Sequence, residues 1–487
     1  MSRFFSVIIF SFPLFLVGQV NLESSYLPII IINTEGQEII DEPRIICSMG
    51  IINNDSINNI ADDFNEYSGR ISIEIRGESS MYFPKKSYSF ETQDSSGENY
   101  NVSLLGMPAE NDWVLYAPYG DKSFVRNALT YHLYEKMGYY SPRFRFCNLF
   151  IDSEYMGVYL LIEKIKRDKN RIDINELEVN DNNIDNISGG YIVQVDRASD
   201  NPDQYWSSFF NDSIFFQYIY PRWKNINSTQ KSYIQEFIYE FESSILNSTP
   251  KNIHHIYDSL INVESFLDYF IVSELSKNID AYRLSTYLYK DHDSVDNRLH
   301  IGPVWDFNWA YGNSTYCQAD IVSGWEEETP CGIFNPFWYS IFRSDSLFNN
   351  LLNCRWQNFR RNVLNIGAIH SYIDSLSLVY ENEINKDMIV WGHLESTSHN
   401  DEINYLKEWI SQRIKWLDSN MPGYCQGIDN QQNRYLILVT DILGRVLYEP
   451  PSKNFIYISD NINNKKTNNI ILYIYDDGTV EKKIIIE

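Results

Sequence analysis

The stretch NIDAYRLSTYLYKDHDSVDNRLHIGPVWDFNWAYGN, residues 278–313, carries one aspartate near its start and another near its end. Between them, TYLYKD (286–291) and RLHIGPVWDFNW (298–309) have the alternation of two short strands joined by a polar turn. Asp280 precedes the first strand and Asp306 follows the apolar run of the second, so the hairpin returns Asp306 to the side of Asp280. Two carboxylates brought together in this way suit either a divalent cation or acid–base chemistry. A lone aspartate is most often a cap or a turn residue. Asp306, however, is flanked by Trp305, Phe307 and Trp309, and a carboxylate in such apolar company costs free energy unless it is used.

Upstream of this stretch, Asn262 or Ser265 can cap a helix that places Val263, Phe266, Leu267, Phe270, Ile271 and Leu275 on one buried stripe. Helical patterns return at 345–365, 368–386 and 402–418, so residues 228–420 are mostly helical. Residues 25–200 read mainly as strands. ISIEIRG (71–77) and YSFET (88–92) alternate, and FRFCNLFID (144–152) and GVYLLIEKI (157–165) make a hairpin about Asp152, Ser153 and Glu154. One helix interrupts them, with Asp121 as its expected cap, Val125, Ala128, Leu129 and Leu133 on one face, and Gly138 at its end. A β-rich half followed by a mainly helical half predicts an α+β, bilobal plan, with a ligand cleft between the lobes. After Gly423 the texture changes to short strands and turns, which predicts a small β-sandwich over 434–487.

Composition narrows the function classes. The chain has 487 residues, 44% hydrophobic and 22% charged, which fits a globular protein and not a disordered one. Its 40 Lys and Arg against 65 Asp and Glu leave a net charge of −25, and no basic stripe relieves it, so nucleic acid is excluded as the main partner. Aromatic residues reach 15%, which fits either sugar-stacking surfaces or a Tyr-rich β domain. Arg3, the apolar run Phe4–Val17 and the small residue Gly18 have the pattern of a cleavable signal peptide over 1–18. No later segment approaches the length of a membrane span, so the mature chain is expected to be exported, secreted or held at the cell surface. Of the six cysteines, Cys317 and Cys331 share one loop-like stretch and are the expected disulfide. Neither the cysteines nor the eight histidines show zinc-ligand spacing.

A second chemical feature lies in the β-rich half. RGESSMYFPKKSY (76–88) places Arg76, Gly77, Ser79 and Ser80 in a turn between two strands, followed by Lys85 and Lys86. Hydroxyls and backbone N–H groups of such a turn can cradle phosphate oxygens, with a lysine of the next strand reaching them. Strand alternation puts Lys86 on the face of Tyr88 and Phe90, and Lys85 on the opposite face.

Six blocks occur in order: RGESSMYFPKKSY, DKSFVRNAL (121–129), YMGVYLLIEKI (155–165), GGYIVQVD (189–196), NIDAYRLSTYLYKD (278–291) and GPVWDFNWAYGN (302–313). Together they resemble the spore-coat CotH kinase family, an atypical branch of the protein-kinase-like fold. The resemblance implies a kinase-like domain over 70–422 with an N-terminal β region at 19–69. It also implies transfer of the ATP γ-phosphoryl group, with Mg2+ or Mn2+, to Ser or Thr of a protein phosphoacceptor. In that reading Asp280 is the catalytic-loop aspartate and Asp306 the metal-binding one. Lys85 or Lys86 contacts phosphate, with Arg76, Ser79 and Ser80 beside it, and Glu163 with Lys164 lies near the adenine. Two positions depart from the pattern. Ser285 stands where kinases carry a second metal ligand, Asn, and Asn308 stands where the family often has a second Asp. Both offer neutral oxygens to the metal, with less charge to bind it. TDILGRVLYE and YIYDDGTVEKKIIIE are similar to the sorting domains of the Bacteroidetes type IX secretion system, which implies that machinery as a partner. Two other readings stay open: a non-catalytic kinase-like surface protein that binds a partner or matrix, and a secreted glycosidase using Asp280 and Asp306 with Trp305 and Trp309 as sugar platforms.

Overall fold

Alternation of the kind seen in ISIEIRG makes a strand with one face for a core, and such strands curl into a closed barrel when no edge is left over. In the computed structural model, which describes residues 22–78, 80–249, 253–332, 334–392, 398–425 and the strands at 436–441, 446–448, 470–475 and 480–484, this is what the β-rich half does. The expected signal peptide and Ser79 lie outside the described residues. The chain divides into two compact units. The first comprises 1–124, 143–164 and 375–404, and the second 125–142, 165–374 and 405–487.

In the first unit, a two-residue bridge joins β1 (Ser24–Ser25) and β4 (Asn58–Asn59). The barrel consists of β2 (Ile29–Asn33), β3 (Ile45–Ile52), β5 (Tyr67–Arg76), β6 (Ser87–Gln93), β7 (Asp112–Tyr116), β8 (Phe144–Ile151) and β9 (Glu154–Glu163). Its order is β2-β3-β5-β6-β7-β9-β8, and a parallel pairing of β2 with β8 closes it. Ile71, Ile73, Phe90, Trp113, Leu115, Leu149, Tyr159 and Leu161 fill its interior. The β8–β9 hairpin turns on Asp152 and Ser153, at φ 47° and 72°, the left-handed pair that suits the twist of a two-residue hairpin. Asp152 then accepts the N–H of Thr34 at 2.7 Å. Cys47 and Cys147 are buried and unpaired, and burial pushes both thiols up to about 12.

The second unit is built on a five-stranded antiparallel sheet. Its strands are β10 (Tyr191–Asp196), β11 (Tyr205–Ser207), β12 (Phe215–Tyr220), β13 (Thr286–Lys290) and β14 (Leu299–Ile301), in the order β11-β12-β10-β13-β14. Its helices are α1 (Arg126–Lys136), α2 (Ser228–Leu246), α3 (His254–Ser259), α4 (Val263–Ser276), α5 (Trp338–Phe342) and α6 (Ser346–Arg361). The chain also forms α7 (Ile366–Val390) and α8 (His399–Asn420), each contributing residues to both units. Asn262 caps α4 by accepting the Ser265 N–H at 3.0 Å, and the body of the helix is buried. Asp121, by contrast, is not the cap of α1. It accepts the N–H and hydroxyl of Ser123 at 3.1 and 2.6 Å, a local turn that competes with helix, and α1 starts only at Arg126.

Two disulfides form. Cys317–Cys331 is the expected one, and Cys354–Cys425 joins residues 71 apart. After Cys425 the described strands β15 (Leu436–Asp441), β16 (Val446–Tyr448), β17 (Ile470–Tyr475) and β18 (Val480–Ile484) form one antiparallel sheet, β16-β15-β17-β18. The second layer that a sandwich needs is not among the described residues. None of the described helices is long and apolar enough to cross a membrane.

Candidate active site

The helix α4 ends on Lys277, which takes the left-handed conformation at φ 48° and so turns the chain sharply. The Lys277 ammonium donates to the carbonyls of Gln318, Ile321 and Ser323 at 2.9, 2.9 and 3.0 Å. Beyond it, the loop to β13 is tightened by hydrogen bonds from Arg283 and Leu284 N–H to the Asp280 carbonyl, at 3.3 and 2.9 Å. Tyr282 and Ser285 both sit at positive φ, 72° and 48°. Three left-handed non-glycine residues in nine positions are costly backbone, held here by the packing around them.

That packing is a buried charge network. Glu274 on α4 accepts the N–H groups of Glu326 and Glu327 at 2.7 and 2.9 Å and the Tyr282 hydroxyl at 3.0 Å. Arg413 pairs with Glu274 at 3.2 Å, and Arg283 pairs with Glu326 at 2.8 Å. The segment holding Glu326 lies within the loop closed by Cys317–Cys331. Asp280 projects from a scaffold whose own charges are largely paired.

The β13–β14 hairpin then returns the chain, and Asp306 adopts φ 65°. Its negative charge is felt by Asp280. Burial, first, and then Asp306 push the Asp280 carboxyl up to about 7, Asp196 adds to the rise, and Arg197 and Arg283 oppose it. The hairpin therefore brings the two sequence-selected carboxylates together. Asn308 is buried, and with its amide oriented to suit its neighbours it donates to Asp306 Oδ1 at 2.7 Å while its oxygen faces the Trp309 indole N–H at 3.3 Å. Trp305 stacks on Tyr131 with ring centroids 6.2 Å apart, so one ring face is spent on packing rather than offered as a sugar platform.

A third acid at this place, Asp196, has no role in the sequence reading although it ends the GGYIVQVD block. Its Oδ2 accepts the Ser285 N–H at 3.2 Å, so Ser285 contributes its backbone to holding Asp196. The signal that could have found Asp196 is its position: a carboxylate at the end of a central strand, beside β13. No group of three or more His, Cys, Asp or Glu side chains is arranged to hold a metal ion among the described residues.

The remaining candidates belong to the first unit. Arg76 ends β5 opposite Ser87. Ser80 opens a short 3-10 turn, Ser80–Tyr82, and a Cβ on Gly77 (φ 103°) would lie 2.0 Å from the Ser80 hydroxyl. Lys86 is half-buried and donates to the Met81 carbonyl at 2.6 Å, bracing this turn. Lys85 cannot reach a phosphate from where it stands. It is 1% exposed, and its ammonium is paired with Asp387 and donates to the Val158 carbonyl at 2.7 Å. The Glu163 carboxylate is likewise enclosed and bound to Arg143 at 2.8 Å, and its N–H donates to the Arg143 carbonyl at 3.0 Å. Both lysines precede β6, and the local pattern did not show their different uses, because the partner of Lys85 lies on a helix 302 residues later.

No curated protein is significantly similar to the chain. The family model described as CotH kinase protein matches residues 73–417, well over half of the chain, and the match takes in Asp280, Asp306 and the β5–β6 turn. By that match the chain belongs to the CotH kinase protein family.

Proposed function

We propose that the protein is a metal-dependent kinase that transfers the γ-phosphoryl group of ATP to Ser or Thr of another protein. The observation that carries this reading is the convergence of Asp280 and Asp306, with Asp280 pushed up to about 7 by burial and its neighbour. Like charges held together in a partly enclosed place are costly unless a cation or a proton is to be shared.

The donor set fits a hard divalent cation. Mg2+ is commonly held by one or two carboxylates, with water and phosphate oxygens completing its shell. Asp306 would be the carboxylate ligand, leaving Asp280 for the acceptor hydroxyl, and Mg2+ or Mn2+ bound there would neutralise charge on the transferring phosphate. Asp280 would align the attacking hydroxyl and take its proton as the new P–O bond forms and the bond to the β-phosphate oxygen breaks, with ADP as leaving group. Asn308, donating to Asp306 Oδ1, would keep that carboxylate turned to the metal. Lys86, Arg76 and the turn at Ser80 are the basic and hydroxyl groups assigned to phosphate. Residues 1–18 and 434–487 are assigned to export, the latter to type IX secretion, which puts the acceptor outside the cell.

The test is transfer itself. Incubation with γ-labelled ATP and Mg2+ or Mn2+ should label protein in the wild type, and Asp280→Ala and Asp306→Ala should each lower the rate by about 10²- to 10⁴-fold. A second reading, a kinase-like protein that binds nucleotide or partner without transfer, draws support from the uncharged Asn308 and Ser285. Nucleotide binding with no labelling in any variant would favour it. Failure to bind nucleotide at all would overturn the kinase.

A further inference from the structure

One peptide unit in the site is gripped at both ends. The carbonyl of Asp306 accepts from Asn278 Nδ2 at 3.4 Å, and the N–H of Phe307, the other end of the same peptide, donates to Asn127 Oδ1 at 2.6 Å. Both asparagines are buried, 2% and 3% exposed. Asn278 also accepts the Asp280 N–H through Oδ1 at 3.4 Å, so one side chain touches the backbone of both aspartates. Asn127 lies in the first turn of α1, where the neighbouring Arg126 donates from Nε to the Ala310 carbonyl at 3.1 Å.

An amide side chain carries one donor end and one acceptor end. Rotating the Asp306–Phe307 peptide by half a turn would point its carbonyl at the Asn127 oxygen and its N–H at the Asn278 amide. Donor would meet donor and acceptor would meet acceptor, in a place with little water to relieve either. The grip therefore selects one value of ψ at Asp306, a residue already held in the left-handed region at φ 65°. With φ and ψ both set, the direction of the Asp306 Cα–Cβ bond follows, and the Asn308 amide holds its carboxylate oxygen.

We infer that Asn127 and Asn278 are positioning residues for the Asp280–Asp306 pair: they clamp the peptide that follows Asp306 and so aim its carboxylate at the place shared with Asp280. This rests on the proposed metal-dependent reaction, and it names residues outside the acid pair on which that reaction depends. It also accounts for Asn127 within the DKSFVRNAL block, where nothing in the local pattern asks for a buried amide.

The experiment uses the full chain and two readouts. Amide hydrogen exchange at Phe307 reads the clamp directly, and Mn2+ titration followed by electron paramagnetic resonance, without nucleotide, reads the aim of Asp306. Asn127→Leu removes the acceptor at similar size. It should speed Phe307 exchange by about tenfold or more and weaken Mn2+ binding by about 3- to 10-fold, the range of one buried hydrogen bond. Asn127→Asp keeps the acceptor and should hold Phe307 exchange at the wild-type rate. Asn278→Leu should weaken Mn2+ binding similarly, and the double variant should lose less than the product of the two, because both act on one peptide. If Asn127→Leu does not fold, Asn127→Ala is read in the same way. Unchanged Phe307 exchange in the folded variant overturns the clamp. A wild-type chain that binds no Mn2+ overturns the metal reading of the site, while Phe307 exchange still decides the clamp.

Discussion

Two acidic groups in this molecule, one sealed and one half-buried, are treated in opposite ways. In the first unit, Asp387 faces Lys85, both side chains almost wholly enclosed, and Asp387 also accepts the Val158 N–H at 2.7 Å. The Lys85 ammonium lies over the Tyr159 ring at 4.7 Å, and a Cβ on Gly157 would lie 2.0 Å from the Asp387 carboxylate. The pair is enclosed, and the Lys85 ammonium also donates to the Val158 carbonyl at 2.7 Å. In the second unit burial, and after it the like charge of Asp306, push the Asp280 carboxyl up to about 7; burial raises Asp387 too, but there its neighbour Lys85 opposes the rise. The Asp387 charge meets an opposite charge within the chain, whereas the Asp280 charge meets a like one. A charged group is a stronger functional candidate when its neighbours raise its energy than when they satisfy it.

Removing one member of the closed pair gives the largest stability effect. Asp387→Ala should cost about 3–5 kcal/mol in urea unfolding, because Lys85 is left charged and enclosed. Replacing both, Lys85→Met with Asp387→Leu, should recover most of that loss. A double variant as unstable as the single would show that the pair contributes beyond charge balance.

The open pair should respond with the opposite sign. Asp280→Asn removes a carboxylate whose folded-state value lies above its unfolded one, near 3.8. Between about pH 4 and pH 7 the folded chain holds more protons at this group than the unfolded chain, so stability falls as pH rises through that window. Asp280→Asn should therefore stabilise the chain by about 1–2 kcal/mol at pH 8 and by nothing at pH 4. Thermal unfolding across that pH range checks it, and equal stability of variant and wild type at both ends would remove the argument that the site is strained by charge.

The smallest effect separates two adjacent lysines. Lys86→Ala should change unfolding free energy by less than about 0.5 kcal/mol, because its ammonium serves only a half-exposed turn. If Lys86 and not Lys85 meets phosphate, the same variant should weaken ATP binding in a calorimetric titration. Unchanged ATP affinity would remove the proposed phosphate role of the β5–β6 turn.

Elements governed by neighbours in sequence were legible. The β8–β9 turn at Asp152 and Ser153, the Asn262 cap, the β13–β14 hairpin and the end of α1 at Gly138 each follow from a few consecutive side chains and their backbone preferences. So did the Cys317–Cys331 bridge, in one short loop. Cys354–Cys425 was not legible, because no local rule brings together residues 71 apart. The misplaced cap at Asp121 shows the limit even locally: Asp121 had two turns to choose between, and Ser123 won.

The sequence by itself determined the periodicities, hence the strands and helices, and placed an aspartate on each side of one hairpin. Only the tertiary structure decided which charges are satisfied. Lys85 and Lys86 are adjacent in the chain, yet one is sealed against Asp387 and the other braces a turn. Asp196, Asn127 and Asn278 stand in separate blocks, yet all three bear on Asp280 or Asp306. The conformation of regular strands, helices and tight turns is set mostly by contacts a few residues apart, whereas a strained peptide such as the one after Asp306, or the energy of a charge or a buried amide, depends on every group within a few ångströms in space. That neighbourhood is assembled only when the chain has closed on itself.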